Sequence, residues 1–361
     1  MAAVAVLALR DLARRWRMMV ALGVMVALTV LMVTLLDGYT RSIDVRFRSA
    51  QPHLVVQQDS TVGEFAGSRI TATVADELRA AGVTDIIPEV HAVTGTAGTT
   101  AIIISGVDPA RYQELDPYHL LSGRHLRAGE SRRTAIIGTL LADRFGLGTG
   151  DTVRLRGRDF AVVGVYELGT YLDDAAVVPI TDAQQLLGWG NDVSLFVIPA
   201  EGPYTAGQAL PGGLAVGQRG DVALVDEWQP LIDLLTTSVR LLAIGAVAVL
   251  AVALWRLAWM HRIDLGLLRL VGFPRRVLVV FLGVQAFTLV AVSALVGVFT
   301  AVAIAPSMAR TTMAVTTGPV IDATVVARAA IDAMLVLTIA VSVPLIAVAR
   351  RGVGTLVRRD D

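Results

Sequence analysis

The chain has 361 residues, 54% of them apolar and only 17% charged, and its mean hydropathy is +0.64. An average soluble protein is about 25% charged, so the composition argues against a wholly soluble or disordered chain. All 31 basic residues are arginine and cysteine is absent. These gaps exclude a P-loop lysine, a Schiff-base lysine, disulfides, thiol catalysis and cysteine–zinc sites. If ATP drives this chain, another chain binds it.

Residues 1–17 read as an amphipathic cytoplasmic helix. Val6, Leu9, Ala13 and Trp16 share one side, and Asp11 and Arg15 lie roughly opposite. Such a helix can rest in the inner membrane interface, or it can simply extend the span that follows. Met18–Leu36 is charge-free and long enough to cross a bilayer core, which needs about 20 apolar helical residues. It lacks a small-residue cleavage site and exceeds a signal-peptide core, so it reads as a retained anchor. Three more spans follow at 239–258, 277–305 and 333–349. Arg240 and Arg256 interrupt the first of these, and Pro344 lies in the last. Arginines crowd the segments before 18, between 259 and 276, and after 349. The 306–332 loop balances Arg310 and Arg328 with Asp322 and Asp332. The positive-inside rule then places both termini (including the 350–361 tail) and the 259–276 segment in the cytoplasm of a multi-pass cell-membrane protein. Residues 37–238 and 306–332 lie outside.

The zero net charge conceals a split. Residues 37–238 hold 25 acidic and 15 basic side chains, and the remainder 6 acidic and 16 basic. The arginines beside the spans suit anionic membrane lipid. They are short, interrupted clusters, so nucleic acid is not expected as a partner.

The 37–238 segment is long enough to bury its own core. In chain order it shows an apolar run at His53–Gln57, a helix at Thr73–Ala81 stopping at Gly82, and a β-branched strand at Ala101–Val107. Ala135–Gly138 then leads into a helix at Thr139–Phe145. A hairpin follows, with Asp151–Arg156 and Phe160–Tyr166 on either side of Gly157. Ala175–Ile180, a short helix at Asp182–Leu187, and Val193–Ile198 complete the pattern. Residues 200–220, rich in Gly, Pro and Gln, read as loop. The segment is a mixed α+β domain, expected in two lobes.

No catalytic motif stands out. His53, His91, His119, His125 and His261 are scattered, and HExxH and GxSxG are absent. His119 and His125 flank Gly123-Arg124 without a marked carboxylate and serine to complete a triad. Asp173-Asp174 can bind a cation, but such a pair more often sits in a solvated turn. Arg219-Gly220-Asp221 matches an adhesion tripeptide by chance. No catalytic residue, cofactor or metal is expected.

Three stretches carry a resemblance. Leu120–Gly188 runs LLSGRHLRAGESRRTAIIGTLLADRFGLGTGDTVRLRGRDFAVVGVYELG, then DDAAVVPITDAQQLLG. His261–Arg276 reads HRIDLGLLRLVGFPRR, and the start reads LALRDLARRWRMMVALGV. Together they resemble the MacB/FtsX/LolC-type permeases of ABC transporters. In order, they match that family's periplasmic core domain, its cytoplasmic segment between spans two and three, and its leading helix. Asp264 stands where the family usually has Glu, and Phe273-Pro274 where it has small residues. The resemblance implies an α-helical membrane protein with four transmembrane helices plus an extracytoplasmic α+β domain. It implies partnership with a separate ABC ATPase subunit and with a second permease copy or paralogue.

The 259–276 segment suits that partnership on its own chemistry. Asp264 favours a helix N-terminus and Gly272 a stop. Leu265, Leu268 and Val271 share helical spacing, with Leu267 and Leu270 offset. Such a helix can lay its apolar side in a partner's groove, while Arg262, Arg269, Arg275 and Arg276 meet acidic rims. A plain juxtamembrane turn is the alternative. Gln285, Thr288 and Ser293 can hydrogen-bond across helices, although Thr288 and Ser293 can also bond back within their own helix. The leading expectation is a non-enzymatic permease that transmits ATP-driven movement to its outer domain, for export or extraction of a hydrophobic or amphipathic substrate. A membrane sensor or scaffold acting on a cell-envelope partner is the rival. A membrane enzyme ranks third, and would need a buried acid–base cluster.

Overall fold

A computed structural model describes residues 16–47, 53–61, 66–96, 99–130, 133–219, 223–260, 274–312 and 315–350, with residues 6, 10 and 14 singly. The leading helix at Val4–Trp16 therefore lies largely outside the described residues, and the 350–361 tail does so beyond Arg350. The chain divides into a helical unit (Met1–Arg41, Leu231–Met308, Gly318–Asp361) and an α+β unit (Ser42–Pro230, Ala309–Thr317).

The described helices are α1 (Trp16–Phe47), α2 (Val74–Ala80), α3 (Tyr112–Leu115), α4 (Thr139–Phe145), α5 (Ile180–Leu187), α6 (Ala223–Met260), α7 (Arg275–Ile304) and α8 (Ala323–Arg350). The strands of the main sheet are β1 (His53–Gln58), β2 (Ile87–Thr96), β3 (Thr99–Val107), β4 (His119–Gly123), β5 (Thr134–Gly138), β6 (Thr152–Leu155), β7 (Arg158–Glu167), β8 (Ala175–Pro179), β9 (Leu195–Pro199), β10 (Ala209–Leu210) and β11 (Leu214–Gln218). A separate hairpin pairs β12 (Arg310–Thr312) with β13 (Val315–Thr317).

The main sheet runs β10-β11-β1-β9-β2-β3-β8-β5-β7-β4, with β6 alongside β7. Two lobes were expected; instead one strand joins two halves. The first part of β2, Ile87–Glu89, pairs with β9, and Val90 onward pairs with β3. Alternation along the strands sends side chains to both faces. Val56, Ile104, Ile137, Val162 and Val178 meet Val74 and Leu78 of α2, Leu141 of α4 and Leu186 of α5 in one core. The opposite face sets Val55, Ile87 and Val197 against Leu115 of α3. There too Ile136, Val177 and Tyr166 pack with Tyr112 and Tyr118. Strands covered on both sides read as unbroken apolar runs, which is why β5 and β8 were legible. The 200–220 stretch differs from the expected loop. It contains β11, whose residues Leu214–Gly217 are buried beside β1. Three apolar residues in a row, Leu214, Ala215 and Val216, among Gly, Pro and Gln are too few to signal a strand.

Gly138 ends β5 under a tight constraint. A Cβ there would lie 2.3 Å from the main-chain oxygen of Asp173. Only glycine lets the one-turn 3-10 helix Tyr171–Asp174 approach so closely.

In the helical unit, Val26 of α1 packs with Ala286, Leu289 and Val290 of α7 and with Ala333 and Leu337 of α8. A Cβ on Gly297 of α7 would sit 2.6 Å from the Ala27 carbonyl, so α1 and α7 cross at near backbone contact. Val20–Arg46 and Gly283–Met308 are long and apolar enough to cross a membrane. The helices outrun the hydropathic spans. Helix α1 continues to Phe47, α6 starts at Ala223 and α8 at Ala323. Hydropathy reports the surrounding solvent, whereas a helix ends only where its hydrogen bonds do. Helix α6 contains Pro230, where the two units divide. The Thr288 hydroxyl donates to the Val284 carbonyl at 2.8 Å, the within-helix option. The Ser293 hydroxyl oxygen lies 3.2 Å from where a Cβ on Gly23 would stand.

Gly138→Ala should destabilise the α+β unit by about 3 kcal/mol, because the added methyl meets backbone that cannot yield. Gly95→Ala, with no atom within 4 Å of its added Cβ, should stay within about 0.5 kcal/mol of the parent. Denaturant unfolding of the solubilised chain, read by near-UV circular dichroism, compares the two.

Candidate functional site

Most of the expected ATPase-coupling residues lie outside the described residues: Arg262, Asp264, Leu265, Leu267, Leu268, Arg269, Val271 and Gly272. Arg275 and Arg276 are the first two residues of α7, directly after Pro274 at its N-cap.

The α+β unit has two buried polar sites that the sequence reading did not assemble. The first is the Tyr171–Asp174 turn that Gly138 admits. Thr170 caps it, its hydroxyl accepting the Leu172 N–H at 3.3 Å. The two carboxylates then diverge. Asp173 accepts the N–H groups of Leu168 and Gly169 at 2.6 and 2.8 Å, tying the turn to the end of β7. Asp174, fully buried, accepts the N–H of Thr316 at 2.5 Å and its hydroxyl at 2.8 Å. Arg46 donates to the Thr316 carbonyl at 2.6 Å. The Arg144 guanidinium stands 3.5 Å from Asp174. Thr316 is therefore gripped at its N–H, its hydroxyl and its carbonyl. It belongs to the β12–β13 hairpin, which the sequence reading took as plain loop and which runs on into α7 and α8 at its ends. The hairpin forms a strap fastened into the α+β unit. Burial raises the pKa of Asp174 against the opposing pull of Thr316 and Arg144. Burial also lifts Asp173 to about 6, despite its two N–H donors. The acidic pair is thus neither a cation site nor a solvated turn, since its oxygens are occupied by protein donors. Among the described residues, no group of three or more His, Asp and Glu could hold a metal ion.

The second site centres on Arg219, one residue past β11. Its guanidinium donates to Glu89 at 2.9 Å and to Asp116, and the Glu89 carboxylate also meets His91 Nε2 at 2.9 Å. All four side chains are buried. Glu89 and His91 alternate along β2, so they share a face. Arg219 arrives from a strand 130 residues away. Two carboxylates share one guanidinium, and they divide it unequally. Burial alone would raise Glu89, but Arg219 and His91 hold it at about 2. Burial outweighs Arg219 at Asp116, which is pushed up. Arg219 is consumed inside the domain, so an adhesion role for Arg219-Gly220-Asp221 is ruled out. This is a buried acid–base cluster of the kind an enzyme reading requires. Its groups, however, are closed on one another and nearly inaccessible to solvent, which makes it an anchor for the end of β11. Among the described residues, the histidines do not converge into a triad. His125 Nδ1 lies 2.8 Å from the Tyr118 hydroxyl, and His119 is exposed on β4.

The family model for the MacB-like periplasmic core domain matches residues 18–210. The chain belongs to that family. This agrees with its resemblance to MacB/FtsX/LolC-type permeases. The periplasmic region of MacB from Actinobacillus actinomycetemcomitans is similar at 11% identity and TM-score 0.34, covering 49% of this chain and 92% of that one. A domain of a candidate permease from Porphyromonas gingivalis is similar at 16% identity and TM-score 0.28, covering 45% and 87%. No curated protein matches. In this MacB-like domain the recognisable motif residues serve the fold. Gly138 admits the aspartate turn, Arg124 makes a two-pronged ion pair with Glu130 at 2.6 and 3.0 Å, and Gly188 closes α5 in the left-handed conformation.

Asp173 makes a pH prediction with a definite sign. Its folded pKa of about 6 exceeds the ordinary 3.8. The folded state therefore binds the extra proton between those values. The stabilisation is complete below about pH 4, falls as pH rises through 6, and is flat above. Asp173→Asn should remove that slope, worth about 3 kcal/mol, from denaturation midpoints measured between pH 4 and 7. Arg219→Met should cost about 3–5 kcal/mol in the same assay at pH 7, because two buried carboxyl groups lose their shared cation.

Proposed function

We propose that the chain is the permease subunit of an ABC transporter, working by mechanotransmission. Membership in a MacB-type family implies partnership with an ABC ATPase in general. In this reading a separate nucleotide-binding subunit hydrolyses ATP, since a chain without lysine cannot build a P-loop. It grips the 259–276 segment from the cytoplasm. Four transmembrane helices, at 18–36, 239–258, 277–305 and 333–349, carry the movement outward as rigid bodies, and a second copy or paralogue completes a dimer. The moving part is the extracytoplasmic α+β domain, and the cargo is a hydrophobic or amphipathic molecule exported or extracted from the membrane.

The observation that best supports this reading is the Asp174–Thr316 strap. A hairpin between two long apolar helices is fastened inside the α+β unit by buried hydrogen bonds to a carboxylate. Bonds of that kind contribute about 1.5–3 kcal/mol each, and the hairpin they hold is the segment of chain that joins α7 to α8.

Leu268→Asp combined with Arg269→Glu should abolish co-purification of the ATPase subunit from native membranes, while the permease itself still inserts and folds. Unchanged co-purification would overturn the coupling assignment, and ATP hydrolysis by the purified chain alone would overturn the division of labour.

A further inference from the structure

The carboxylate that fastens the strap has two partners within reach. Thr316 of the β12–β13 hairpin holds both of its oxygens, the hydroxyl donating to Oδ1 at 2.8 Å and the N–H to Oδ2 at 2.5 Å. Arg144 of α4 brings its Nη1 to 3.5 Å from the same Oδ1. That approach makes no hydrogen bond, and neither Nη1 nor Nε of Arg144 has a hydrogen-bond partner among the described residues. The remaining nitrogen, Nη2, donates to the Ala101 carbonyl at 3.3 Å. The guanidinium lies over the Phe145 ring, 4.9 Å from its centre. The Arg144 side chain is only 12% exposed, and burial lowers its pKa despite the neighbouring carboxylate. A buried guanidinium with two idle donors beside a carboxylate is an unfinished ion pair.

The surroundings of this pair are built without the strap. Gly138 sets the aspartate turn against the end of β5, and α4 follows β5 directly. Asp173 is committed to the Leu168 and Gly169 N–H groups, so it does not compete for Arg144. The strap is weaker by itself. Its strands have three residues each, and a two-stranded hairpin is marginal alone in water. Seating it buries Val315 and adds the Arg46 bond to the Thr316 carbonyl at 2.6 Å. Arg46 is half-exposed, so water replaces that bond when it breaks. Asp174 is fully buried while the strap is seated. When Thr316 leaves, the carboxylate loses both donors at once, and a carboxylate stranded in the interior is costly. Arg144 stands beside it with two donors unused.

We propose that Asp174 is a two-position latch, holding Thr316 while the strap is seated and closing on Arg144 as a two-pronged ion pair when the strap lifts. Charge-assisted N–H···O bonds run at about 2.7–2.9 Å, so the two side chains need to close by less than roughly 1 Å. The buried charge is then matched in both positions. The strap leaves and returns without unfolding of the sheet or of α4, as a switch between two discrete arrangements. The inference concerns residues of the α+β unit alone and does not depend on the transport reading.

Hydrogen exchange of the full chain in phosphatidylcholine nanodiscs, read by mass spectrometry on residues 309–317 and on β5, measures how often the strap lifts. The strap of the parent should exchange faster than β5 by about tenfold or more, through local opening. Thr316→Val, which loses the hydroxyl bond, should speed strap exchange about tenfold, as expected for one charge-assisted contact. Arg144→Met should slow it about tenfold, because the lifted position loses its ion pair while the seated position loses no hydrogen bond to Asp174. A fixed anchor gives the opposite sign. There the attraction of Arg144 for Asp174 serves only the seated strap, and its removal loosens the strap. Arg144→Lys keeps the charge without the fork and should slow exchange less; it decides the sign if Arg144→Met does not fold by near-UV circular dichroism. The latch is overturned if the parent strap exchanges no faster than β5, or if Thr316→Val leaves its exchange unchanged. It is equally overturned if exchange is unchanged or faster in Arg144→Met, or in Arg144→Lys where only that variant folds.

Discussion

The α+β unit is a single sheet because β2 changes partner at Glu89. Up to that residue it is bonded to β9, and from Val90 it is bonded to β3. The change of partner falls where the interior is also most polar. Ser194 donates its N–H to the Glu89 carbonyl, and its hydroxyl bridges the N–H and carbonyl of His91. Arg219 closes over the Glu89 carboxylate from β11. The main-chain groups of Glu89 and His91 and the Glu89 carboxylate are thereby given partners, as buried polar groups require, while His91 Nδ1 is left without one among the described residues. The half of the sheet carrying β1, β9 and β11 is held to the half carrying β5, β7 and β8 by this junction.

A common rule governs both buried sites. A charge in the interior is tolerable only when its oxygens or guanidinium protons are matched, and the matching group can come from anywhere in the chain. At Asp174 the match is Thr316, 142 residues away. At Glu89 it is Arg219, 130 residues away. In each case a segment adjoining a long helix is fixed to the sheet, the strap before α8 and the end of β11 before α6. In the helical unit, Arg41–Asp322 at 3.0 Å and Arg328–Asp37 at 3.4 Å hold the end of α1 to the start of α8 in a similar manner.

The motif that identifies the family is legible because it encodes backbone geometry. Gly138 is required by contact with the Asp173 main chain, and Arg124 by its fork to Glu130. The apolar runs of β5 and β8, the helices α4 and α5, and the β6–β7 hairpin were readable for the same reason. Each is settled by residues a few positions apart. Strand β11, the strap and the Arg219 cluster were not readable, since nothing within ten residues of Leu214, Thr316 or Arg219 distinguishes them from loop. In sequence Asp173-Asp174 is only two adjacent carboxylates, and the fold alone supplies the four donors that surround them.

Sequence alone determined what depends on composition and short-range order. It set the apolar stretches, the arginine asymmetry, the lack of lysine chemistry and the family signature, because hydropathy and turn geometry act over a few residues. Tertiary structure alone decided that Asp174 meets Thr316, that Arg219 is buried on Glu89, and that residues 214–218 become a strand. Those outcomes rest on contacts between segments more than a hundred residues apart, and burial there changes a polar group from a solvated surface feature into one that must find a partner.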